Sequence, residues 1–594
     1  MPQSARRVGL DLGTTYSALS VLTPSGSPKT VEDVNGDAAV PSVVLFEPGG
    51  KAVVGEPAAA HAVADPGRVV QQAKRFLHDP QKRWLIGRRR VSPSEVTALI
   101  VRHLLDSARP RFGDLKEAVI TVPVQFGHDE RCRTVRAAKA AGLESVTLID
   151  EPVAAALCHV LAGSEAEGAG GLWFAELADA QTVLVFDLGG GTLDLAVVRY
   201  GPGGVEVVAN GGDPHLGGVD FTGALSDALA GQFAREFSDA ADPDPRDDPH
   251  SAQALRDEVE KAKRALSVRD ETPVTISHAG NRKTYRVERG QFEAVTAPLL
   301  KRAETLVVDL VKRHTKGWGE IDAVLLTGGS SRIPSVRAML KRLSGTTPNT
   351  ALSPDQSVAH GACLYAGLLS QDAAFARNLL GDRADDGGWE DKLARNVPRQ
   401  RTARGLGVLV RGESGRHEPA WVIPPNSPVP AAFRQTFGTV KPNQTRVRIR
   451  VVQAGPTPDA APTGLGDCVV EPLPPDLPEN APVVVTLRLD EAGIVRTEAV
   501  EQTTGKRAHA ELRSPSEHDL PAPDASAAPA GTSPTPPDIS TTAALKTPAG
   551  TAPAAPAEGR TGKEAEEGAD EFWNIVGPEV KPKRRRRARA NRRA

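Results

Sequence analysis

Short apolar runs alternate with longer stretches of helical periodicity along residues 6–370. Runs such as AVITVPV (118–124), VLVFDL (183–188) and AVLLTGG (323–329) have the length and β-rich composition of buried strands. The stretches between them are rich in Ala, Leu and Arg and have the periodicity of helices. This alternation predicts an α/β fold in which helices cover both faces of the sheets.

The hydrophobic pattern changes in the second half of the chain. Segments such as TRVRIRVV (445–452) and APVVVTLRL (481–489) alternate apolar and polar residues, and Pro, Gly and Asn separate them. Such segments, bounded by turn residues, are typical of strands. We therefore predict an all-β unit over residues 403–512. Residues 371–402 are polar and helix-like, which predicts a connector.

The composition changes again beyond residue 512. Pro, Ala, Ser and Thr dominate to about residue 562, so we predict a disordered tail over residues 513–594. The segment EFWNIVG (571–577) interrupts this composition and is a candidate docking segment for a partner. The last 14 residues, KPKRRRRARANRRA, hold nine Lys or Arg and no acid. They are a candidate site for an anionic partner, and a solvated tail without a partner is the alternative.

The cysteines and the apolar runs indicate the cellular location of the protein. Cys132, Cys158, Cys363 and Cys468 are scattered, with no close pair. This spacing argues against a zinc site or a disulfide framework and is typical of a reducing compartment. No apolar run reaches the ~18 residues that a membrane span requires. We therefore expect a cytoplasmic protein without a transmembrane segment.

Two stretches share an unusual feature, an Asp-Leu-Gly triplet inside an apolar strand. They are VGLDLGTTYSALSV (8–21) and VFDLGGGTLDLAVV (185–198), and their spacing suits a domain duplicated into two similar halves. Glycine turns let backbone amides approach phosphate oxygens, and the threonine hydroxyls add donors. Asp11, Asp187 and Asp194 are candidates for holding a hydrated Mg²⁺. The alternative is a pair of ordinary β-hairpins with glycine turns.

Residues 6–370 resemble the ATPase domain of the 70-kDa heat-shock (DnaK-type) chaperones, which share their fold with actin and sugar kinases. The motifs that carry the resemblance are DLGTT (11–15), PSVVLF (41–46), AKRF (73–76), TVPVQF (121–126), DEPVAAAL (150–157), DLGGGTLDLA (187–196), HLGGVDF (215–221), EKAKRALS (260–267), GGSSRIP (328–334) and SPDQSVAHGA (353–362). The Asp-Leu-Gly motifs alone would fit any actin-like ATPase. HLGGVDF, EKAKRALS and GGSSRIP are typical of a much smaller group of proteins, the chaperone branch.

The resemblance implies a fold class and an activity. It implies an actin-like duplicated ATPase domain over residues 1–370, followed by the all-β sandwich-like domain and the disordered tail. It also implies that the protein binds and hydrolyses ATP with Mg²⁺, and it allows a role for K⁺. A small-molecule kinase of the same fold is a weaker alternative, because the narrow motifs all belong to the chaperone branch.

The nucleotide-binding residues follow from the same motifs. In EKAKRALS, Glu260, Lys263, Arg264 and Ser267 share one helix face, which suits contacts with ribose and adenine. A solvated face with Glu–Lys pairs is the alternative. The resemblance implies that the remaining contacts come from two glycine hairpins, one glycine turn and one acid. These residues are Gly13, Thr14, Thr15, Gly189, Gly190, Gly191, Gly328, Gly329, Ser330, Arg332 and Asp355.

The resemblance also implies how hydrolysis is catalysed. Hydrolysis requires an oriented water and neutralisation of the charge that develops on the γ-phosphate. By resemblance, Lys74 orients this water, and Asp187, Asp11 and Glu151 complete a polar network around it. Thr192 and the glycine hairpins hold the β- and γ-phosphates. Without the resemblance, Lys74 would be interpreted as a surface charge.

Residues 403–512 resemble a diverged form of the family's β-sandwich substrate domain. By resemblance, Phe437 and Val447 line a peptide groove, and a role in the sandwich core is the alternative. Pro123 and Arg131 match positions that relay the nucleotide state in the family. Two departures argue against a full clamp-and-release cycle. The linker NVPRQRTARGLG (396–407) is basic and lacks a leucine run. Disorder-prone sequence begins after Arg513, so we expect no helical lid.

Two hypotheses about function remain. The first is a chaperone of the 70-kDa heat-shock type that uses Mg-ATP to control the binding of unfolded or extended polypeptide, helped by a co-chaperone or a nucleotide-exchange factor. The second is a nucleotide-dependent regulatory protein that binds one dedicated partner and has no general folding activity. The groove-like β unit favours the first, and the basic linker and missing lid favour the second.

Overall fold

The computed structural model describes most of the first 512 residues and one short segment beyond them. The described residues are 7–162, 178–350, 353–370, 372–381, 388–412, 416–456, 460–512 and 575–576. Most of the predicted tail, including the basic C-terminus, lies outside the described residues.

The first half of the α/β part is built on a six-stranded sheet. Its elements are β1 (Arg7–Leu12), β2 (Tyr16–Leu22), β3 (Pro28–Val31), β4 (Val40–Pro41), β5 (Val43–Phe46), β6 (Ala52–Val54), α1 (Glu56–Ala60), β7 (Val69–Gln71), β8 (Trp84–Ile86), β9 (Arg89–Val91), α2 (Pro93–Phe112), β10 (Glu117–Val122), α3 (His128–Ala140), β11 (Ser145–Asp150) and α4 (Glu151–Ala162). The strand order is β11-β10-β1-β2-β3, and β4 pairs with β2.

The second half is built on a four-stranded sheet, followed by two helices that pack against the core between the two halves. Its elements are β12 (Gln181–Leu188), β13 (Leu193–Gly201), β14 (Gly204–Asp213), α5 (Gly218–Glu236), α6 (Pro249–Leu266), β15 (Glu271–His278), β16 (Asn281–Glu288), α7 (Arg289–His314), β17 (Ala323–Thr327), α8 (Pro334–Ser344), α9 (Ser357–Ser370), α10 (Ala373–Leu380) and α11 (Trp389–Arg395). The strand order is β14-β13-β12-β17.

The two halves repeat one topology. In each half, one strand carries the first Asp of the motif. In the first half this strand is β1, which pairs antiparallel with β2 and parallel with β10. In the second half it is β12, which pairs antiparallel with β13 and parallel with β17. The third strand, β3 or β14, then continues the antiparallel side of the sheet. The predicted duplication is therefore present in the fold.

Burial explains the continuous apolar character of the central strands. Along β12, Val183 and Val185 pack into the core between the two halves, while Leu184 and Phe186 pack into the core of the second half. A strand covered on both faces has no solvent side and so does not alternate apolar with polar residues. This confirms the prediction of an α/β fold with sheets covered on both faces.

Helices α4 and α9 lie between the two sheets, and each packs on the sheet of the other half. Helix α4 follows the first sheet along the chain but packs mainly on β12 and β13 of the second, and α9 follows the second sheet but packs on β1 and β2 of the first. The two helices touch each other through their backbones. A Cβ atom on Gly361 would lie 1.7 Å from the carbonyl oxygen of Ala154, so only glycine fits at this contact.

The β part forms a sandwich with its own core. Its strands are β18 (Leu406–Arg411), β19 (His417–Ile423), β20 (Ala431–Thr439), β21 (Val447–Gln453), β22 (Thr463–Val470), β23 (Pro482–Leu489), β24 (Val495–Glu501), β25 (Arg507–Glu511) and β26 (Ile575–Val576). Strands β19, β18, β21 and β22 form one layer, and β20, β23, β24 and β25 form the other. Phe437 and Val447 are both buried in the core between these layers.

The linker segment, residues 396–405, is held by polar contacts with the α/β part. The side-chain amide of Gln400 donates to the carbonyl oxygen of Leu148 (2.8 Å) and accepts from the amide of Asp150 (3.0 Å). Because β11 is an edge strand, these contacts satisfy two backbone groups that have no partner strand. Arg401 donates to the carbonyl oxygens of Val207 (2.5 Å) and Asn426 (2.8 Å).

Further contacts join the β part directly to α3. The imidazole of His128 lies between the carbonyl oxygen of Leu512 (2.7 Å) and the amide of Val495 (3.1 Å). Arg404 forms a buried ion pair with Glu130 (3.6 Å). Burial lowers the pKa of Arg404, and the charge of Glu130 opposes this change. The basic character of the linker is thus matched by carbonyl oxygens and a carboxylate.

All four cysteines, Cys132, Cys158, Cys363 and Cys468, are free thiols. Within the described ranges, none of the helices has the length and apolar character needed to cross a membrane.

The contacts of Gln400 predict that this residue holds the two parts together. Gln400→Ala leaves the Leu148 carbonyl and the Asp150 amide without partners, which costs about 1–3 kcal/mol. We expect the variant to populate an undocked form with a larger radius of gyration, measured by small-angle X-ray scattering. Gln502→Ala, at an exposed position of the β part, is the matched control. An unchanged radius of gyration in both variants would contradict this prediction.

Candidate nucleotide site

A cleft of about 620 Å³ opens between the two halves of the α/β part, and both halves contribute to its walls. The cleft brings together all fifteen residues that the resemblance implies for nucleotide binding. It also contains Lys74, Glu151, Asp187, Thr192 and Asp11. Of the predicted site residues, only Asp194 is absent from the walls. The motifs that are far apart in the sequence therefore meet in one place.

The two Asp-Leu-Gly hairpins face each other across the bottom of the cleft. A Cβ atom on Gly190 would lie 2.5 Å from the hydroxyl of Thr15, and one on Gly191 would lie 2.4 Å from the hydroxyl of Thr14. Gly190 and Gly191 are thus required because the two turns touch. The backbones and threonine hydroxyls of both turns therefore lie together at the bottom of the cleft, which is the arrangement that the phosphate interpretation expects.

Four carboxyl groups lie close together behind and beside these turns. Asp187 and Asp194 are directly opposite each other on β12 and β13, and both are buried, with exposed fractions of 4% and 1%. Asp11, on β1, accepts a hydrogen bond from the Thr121 hydroxyl (2.8 Å). Glu151 begins α4 at the end of β11. These residues come from both halves, so their proximity depends on the whole fold.

Burial and mutual repulsion favour the protonated forms of the three aspartates in this cluster. Burial raises the pKa of Asp11 to about 6, and the charge of Glu151 adds to the increase. Burial also raises the pKa of Asp187, followed by repulsion from Glu151, Asp194 and Asp11. The pKa of Asp194 is raised by burial and by Glu151. A nearby cation would remove this repulsion and favour the ionised forms.

The environment of the Asp194 carboxylate is suitable for a nearby cation. One of its carboxylate oxygens accepts a hydrogen bond from the Val124 amide (2.6 Å). The other is buried without a hydrogen-bond partner among the described residues. In the part of the chain that the structure describes, no group of three or more acidic, His or Cys side chains is arranged to bind a metal directly. Mg²⁺ suits such a site, because it retains water and takes few protein carboxylates.

Lys74 supplies positive charge beside the acidic cluster. It lies on a short 3-10 helix (Ala73–Phe76), and its ammonium group forms an ion pair with Glu151. Both side chains are only 11% exposed. Lys74 therefore lies in the wall of the cleft and is not a surface charge.

The helix face predicted for the nucleoside has an ordered hydrogen-bond network. Lys263 contacts Glu260 (2.7 Å) and donates to the carbonyl oxygen of Gly218 (2.9 Å). Although burial alone would raise it, the pKa of Glu260 is lowered, chiefly by the charge of Lys263. Arg264 donates to Glu260 (2.9 Å), and its guanidinium group lies 5.5 Å from the centre of the Tyr16 ring. The planar guanidinium and the ring are suitable for stacking on a base.

The opposite wall comes from the turn after β17. Gly328 has a φ of 76°, and a Cβ atom there would lie 2.4 Å from a carboxylate oxygen of Asp187. Glycine is required at this turn for both reasons. Arg332, which follows the turn, makes a two-point contact with Asp355 (2.7 and 3.1 Å).

Sequence reasoning missed several residues of the cleft. Tyr16 and Arg337 line it, together with the apolar side chains Val268, Ile333 and Val358. The position of Tyr16 directly after the Thr14–Thr15 turn is a signal that could have identified it. Arg337 carries no such signal, because its pattern is that of an ordinary basic residue on a helix.

Two similar halves around a cleft of this construction define an actin-like nucleotide-binding domain. The family model described as Hsp70 protein matches residues 7–86, 78–384 and 405–526. Three relatives are each called chaperone protein DnaK. That of Thermotoga petrophila is 34% identical, with 84% of this chain and 79% of that protein covered. Those of Deinococcus radiodurans (33%) and Thermosipho melanesiensis (32%) each cover 84% of this chain and 78% of their own length.

The chain therefore belongs to the Hsp70 family, a family of molecular chaperones that use ATP with Mg²⁺. This confirms the resemblance identified from the motifs.

The acidic cluster predicts an unusual dependence of stability on pH. Because the pKa of Asp11 is about 6 in the folded protein and its ordinary value is 3.8, ionising Asp11 lowers the free energy of unfolding as the pH rises between these values. The cost above pH 6 is about 3 kcal/mol. Asp11→Asn should recover up to this amount at pH 7.5 without nucleotide or divalent cation, and nothing below about pH 4. Thermal unfolding at several pH values measures the effect.

Asp33→Asn provides a control of opposite sign. Although burial alone would raise it, the pKa of Asp33 is lowered, mainly by amide donors from Asp37 and Asn35. This carboxylate stabilises the protein above its ordinary pKa, so Asp33→Asn should lower stability at pH 7.5. Destabilisation by Asp11→Asn at pH 7.5 would contradict the interpretation of the cluster.

Proposed function

We propose that this protein binds Mg-ATP in the interlobe cleft, hydrolyses it to ADP and phosphate, and uses the nucleotide to control binding of unfolded or extended polypeptide by the β part. The contact between the two Gly–Thr turns, above a buried cluster of carboxyl groups, carries the proposal. An anion-binding surface beside clustered carboxyl groups suits a phosphate chain that arrives with a divalent cation.

The residues of the cleft have complementary roles in this proposal. The turns at Gly13–Thr15 and Gly189–Thr192 bind the phosphates through amides and hydroxyls. The nucleoside lies between the Arg264 face and the turn at Gly328–Ser330. Asp11, Asp187 and Asp194 would hold a hydrated Mg²⁺, in part through its water shell, and the ion would neutralise phosphate charge when bound.

Lys74, Glu151 and Asp187 act on the attacking water. The ion pair with Glu151 fixes the ammonium group of Lys74, so that it can orient the water without moving. The water oxygen forms a bond to the γ-phosphorus as the bond to the bridging oxygen of ADP breaks. In this proposal, Asp187 accepts a hydrogen bond from the water, and the proton of the water leaves with the phosphate product or the solvent. Thr192 donates to the oxygens of the γ-phosphate.

A short chain of contacts links the cleft to the β part. Glu151, in the cleft, follows Asp150, whose carboxylate forms a buried ion pair with Arg131 (2.5 Å). Arg131 also donates to the carbonyl oxygen of Ala492 in the β part (3.3 Å), and the amide of Asp150 contacts Gln400 of the linker. This route supports coupling through polar contacts, although the linker lacks a leucine run. Coupling itself requires two states that both ligands bias.

Partners and location are part of the same proposal. Family membership supports a co-chaperone or nucleotide-exchange factor as a partner. A cytoplasmic location remains a prediction that rests on the free cysteines. The anionic partner of the basic tail also remains a prediction, because residues 581–594 lie outside the described residues.

Single-turnover ATP hydrolysis with and without a reduced, carboxymethylated unfolded protein tests the proposal. We expect the unfolded protein to accelerate hydrolysis several-fold. Hydrolysis that ignores the unfolded protein would instead favour the alternative of a nucleotide switch with one dedicated partner. Absence of hydrolysis would contradict the proposed activity.

Lys74→Ala should lower the single-turnover rate by about 10²-fold or more, because it removes a preorganised charge at the reacting water. Nucleotide affinity, measured separately by titration calorimetry, should change much less. Lys82→Ala is the matched control, since Lys82 lies over the rings of Phe76 and Trp84, outside the cleft. Equal rates in the two variants would exclude Lys74 from catalysis.

A further inference from the structure

Strand β26, which is distant in the sequence, lies between the edges of β18 and β20 and so bridges the two layers of the sandwich. Val576 pairs with Arg411, at the end of β18, in the parallel direction. The same strand pairs antiparallel with β20, where Val576 is opposite Gly438 and Ile575 is opposite Thr439. It also lies against β21. In the described residues, β26 joins two layers that are otherwise separate in their strand pairing.

The two layers present open strand edges at this position. Strand β21 pairs with β18 only from Leu406 to Val408, so that edge of β18 is uncovered at Arg411. Strand β20 is paired with β23 along one edge, and within the described ranges its other edge pairs only with β26. Unpaired strand edges attract further strands because their amides and carbonyls lack partners. The site is thus suited to an extended peptide.

The core residues next to these open edges are apolar. Phe437, next to Gly438, and Val447, at the start of β21, are both fully buried in the sandwich core. The occupant is also apolar in sequence: four of the seven residues of EFWNIVG (571–577) are Phe, Trp, Ile or Val. Strand addition begins with main-chain hydrogen bonds to an open strand edge, and the edges of β18 and β20 supply such a position.

We propose that the segment containing Ile575 and Val576 is an intramolecular ligand of the β part. Through these two residues it pairs with the open edges of β18 and β20 and competes with other polypeptides for them. This inference deepens the proposed polypeptide binding by the β part and rests on it. The segment is a built-in competitor that a client must displace.

The covalent connection makes such competition effective even if the segment binds weakly. Residues 513–574 separate Leu512 from β26, and this length of chain can span about 200 Å when fully extended. A connection of this length holds a segment near its site at an effective concentration of order 1 mM. A segment with micromolar intrinsic affinity would therefore keep the site occupied most of the time.

Peptide binding by the full-length protein tests this proposal. The probe is a fluorescein-labelled synthetic peptide of residues 569–579, and its affinity is measured by fluorescence anisotropy. The test variant is Ile575→Asp/Val576→Asp, because Asp disfavours strands. The matched control is Ile539→Asp/Leu545→Asp, which adds the same charges to the tail outside the segment. We expect the test variant to bind the probe at least 10-fold more tightly than the wild type and the control.

Two outcomes would overturn the proposal of an intramolecular ligand without contradicting the proposed function. One is equal affinity of the probe for all three proteins. The other is binding of the carboxymethylated unfolded protein by all three without any binding of the probe.

If none of the three binds either polypeptide, the proposed function fails and hydrogen exchange decides the inference. Faster exchange of residues 405–412 and 431–440 in the test variant, but not in the control, would support occupancy by the segment. Equal exchange in the three proteins would overturn it.

Discussion

Electrostatic repulsion among buried carboxyl groups is the constraint on which the cleft depends. Asp11, Asp187, Asp194 and Glu151 converge from both halves of the α/β part, and Lys74 provides the adjacent positive charge. Such a cluster is costly to bury, and only the packing of the two halves keeps it together. A cation bound in the cleft would reduce this repulsion. In the proposed function, the structural cost of the cluster is therefore a source of binding energy for a cation that arrives with phosphates.

Much of the fold and of the site could be predicted from short-range patterns. The run VLVFDL predicted a buried strand because both faces of β12 are covered, and the repeated Asp-Leu-Gly triplets predicted two hairpins that bind phosphate together. The contact of Gly191 with Thr14 explains why glycine and threonine occupy equivalent places in both turns. The family confirmed the fold, whereas the roles of the individual site residues remain predictions.

Other features have no local signal in the sequence. Gln400 contacts Leu148 and Asp150, which lie about 250 residues earlier in the chain. A single polar residue in a polar segment cannot reveal partners so distant. The basic linker predicts weaker coupling, yet Arg401 contacts backbone carbonyl oxygens and Arg404 contacts Glu130. Buried polar contacts are sensitive to geometry, so this linker can replace apolar adhesion with positional specificity.

The crossing of α4 and α9 has a consequence for the way this protein folds. Each helix completes the core of the half to which it does not belong in sequence. Although the halves are related by duplication, neither contains all the apolar surface that its own sheet must cover. A separated half would expose its sheet and would gain a complete core only by pairing with another half. This packing therefore predicts that the duplicated domain folds as one cooperative unit, although it arose from two copies.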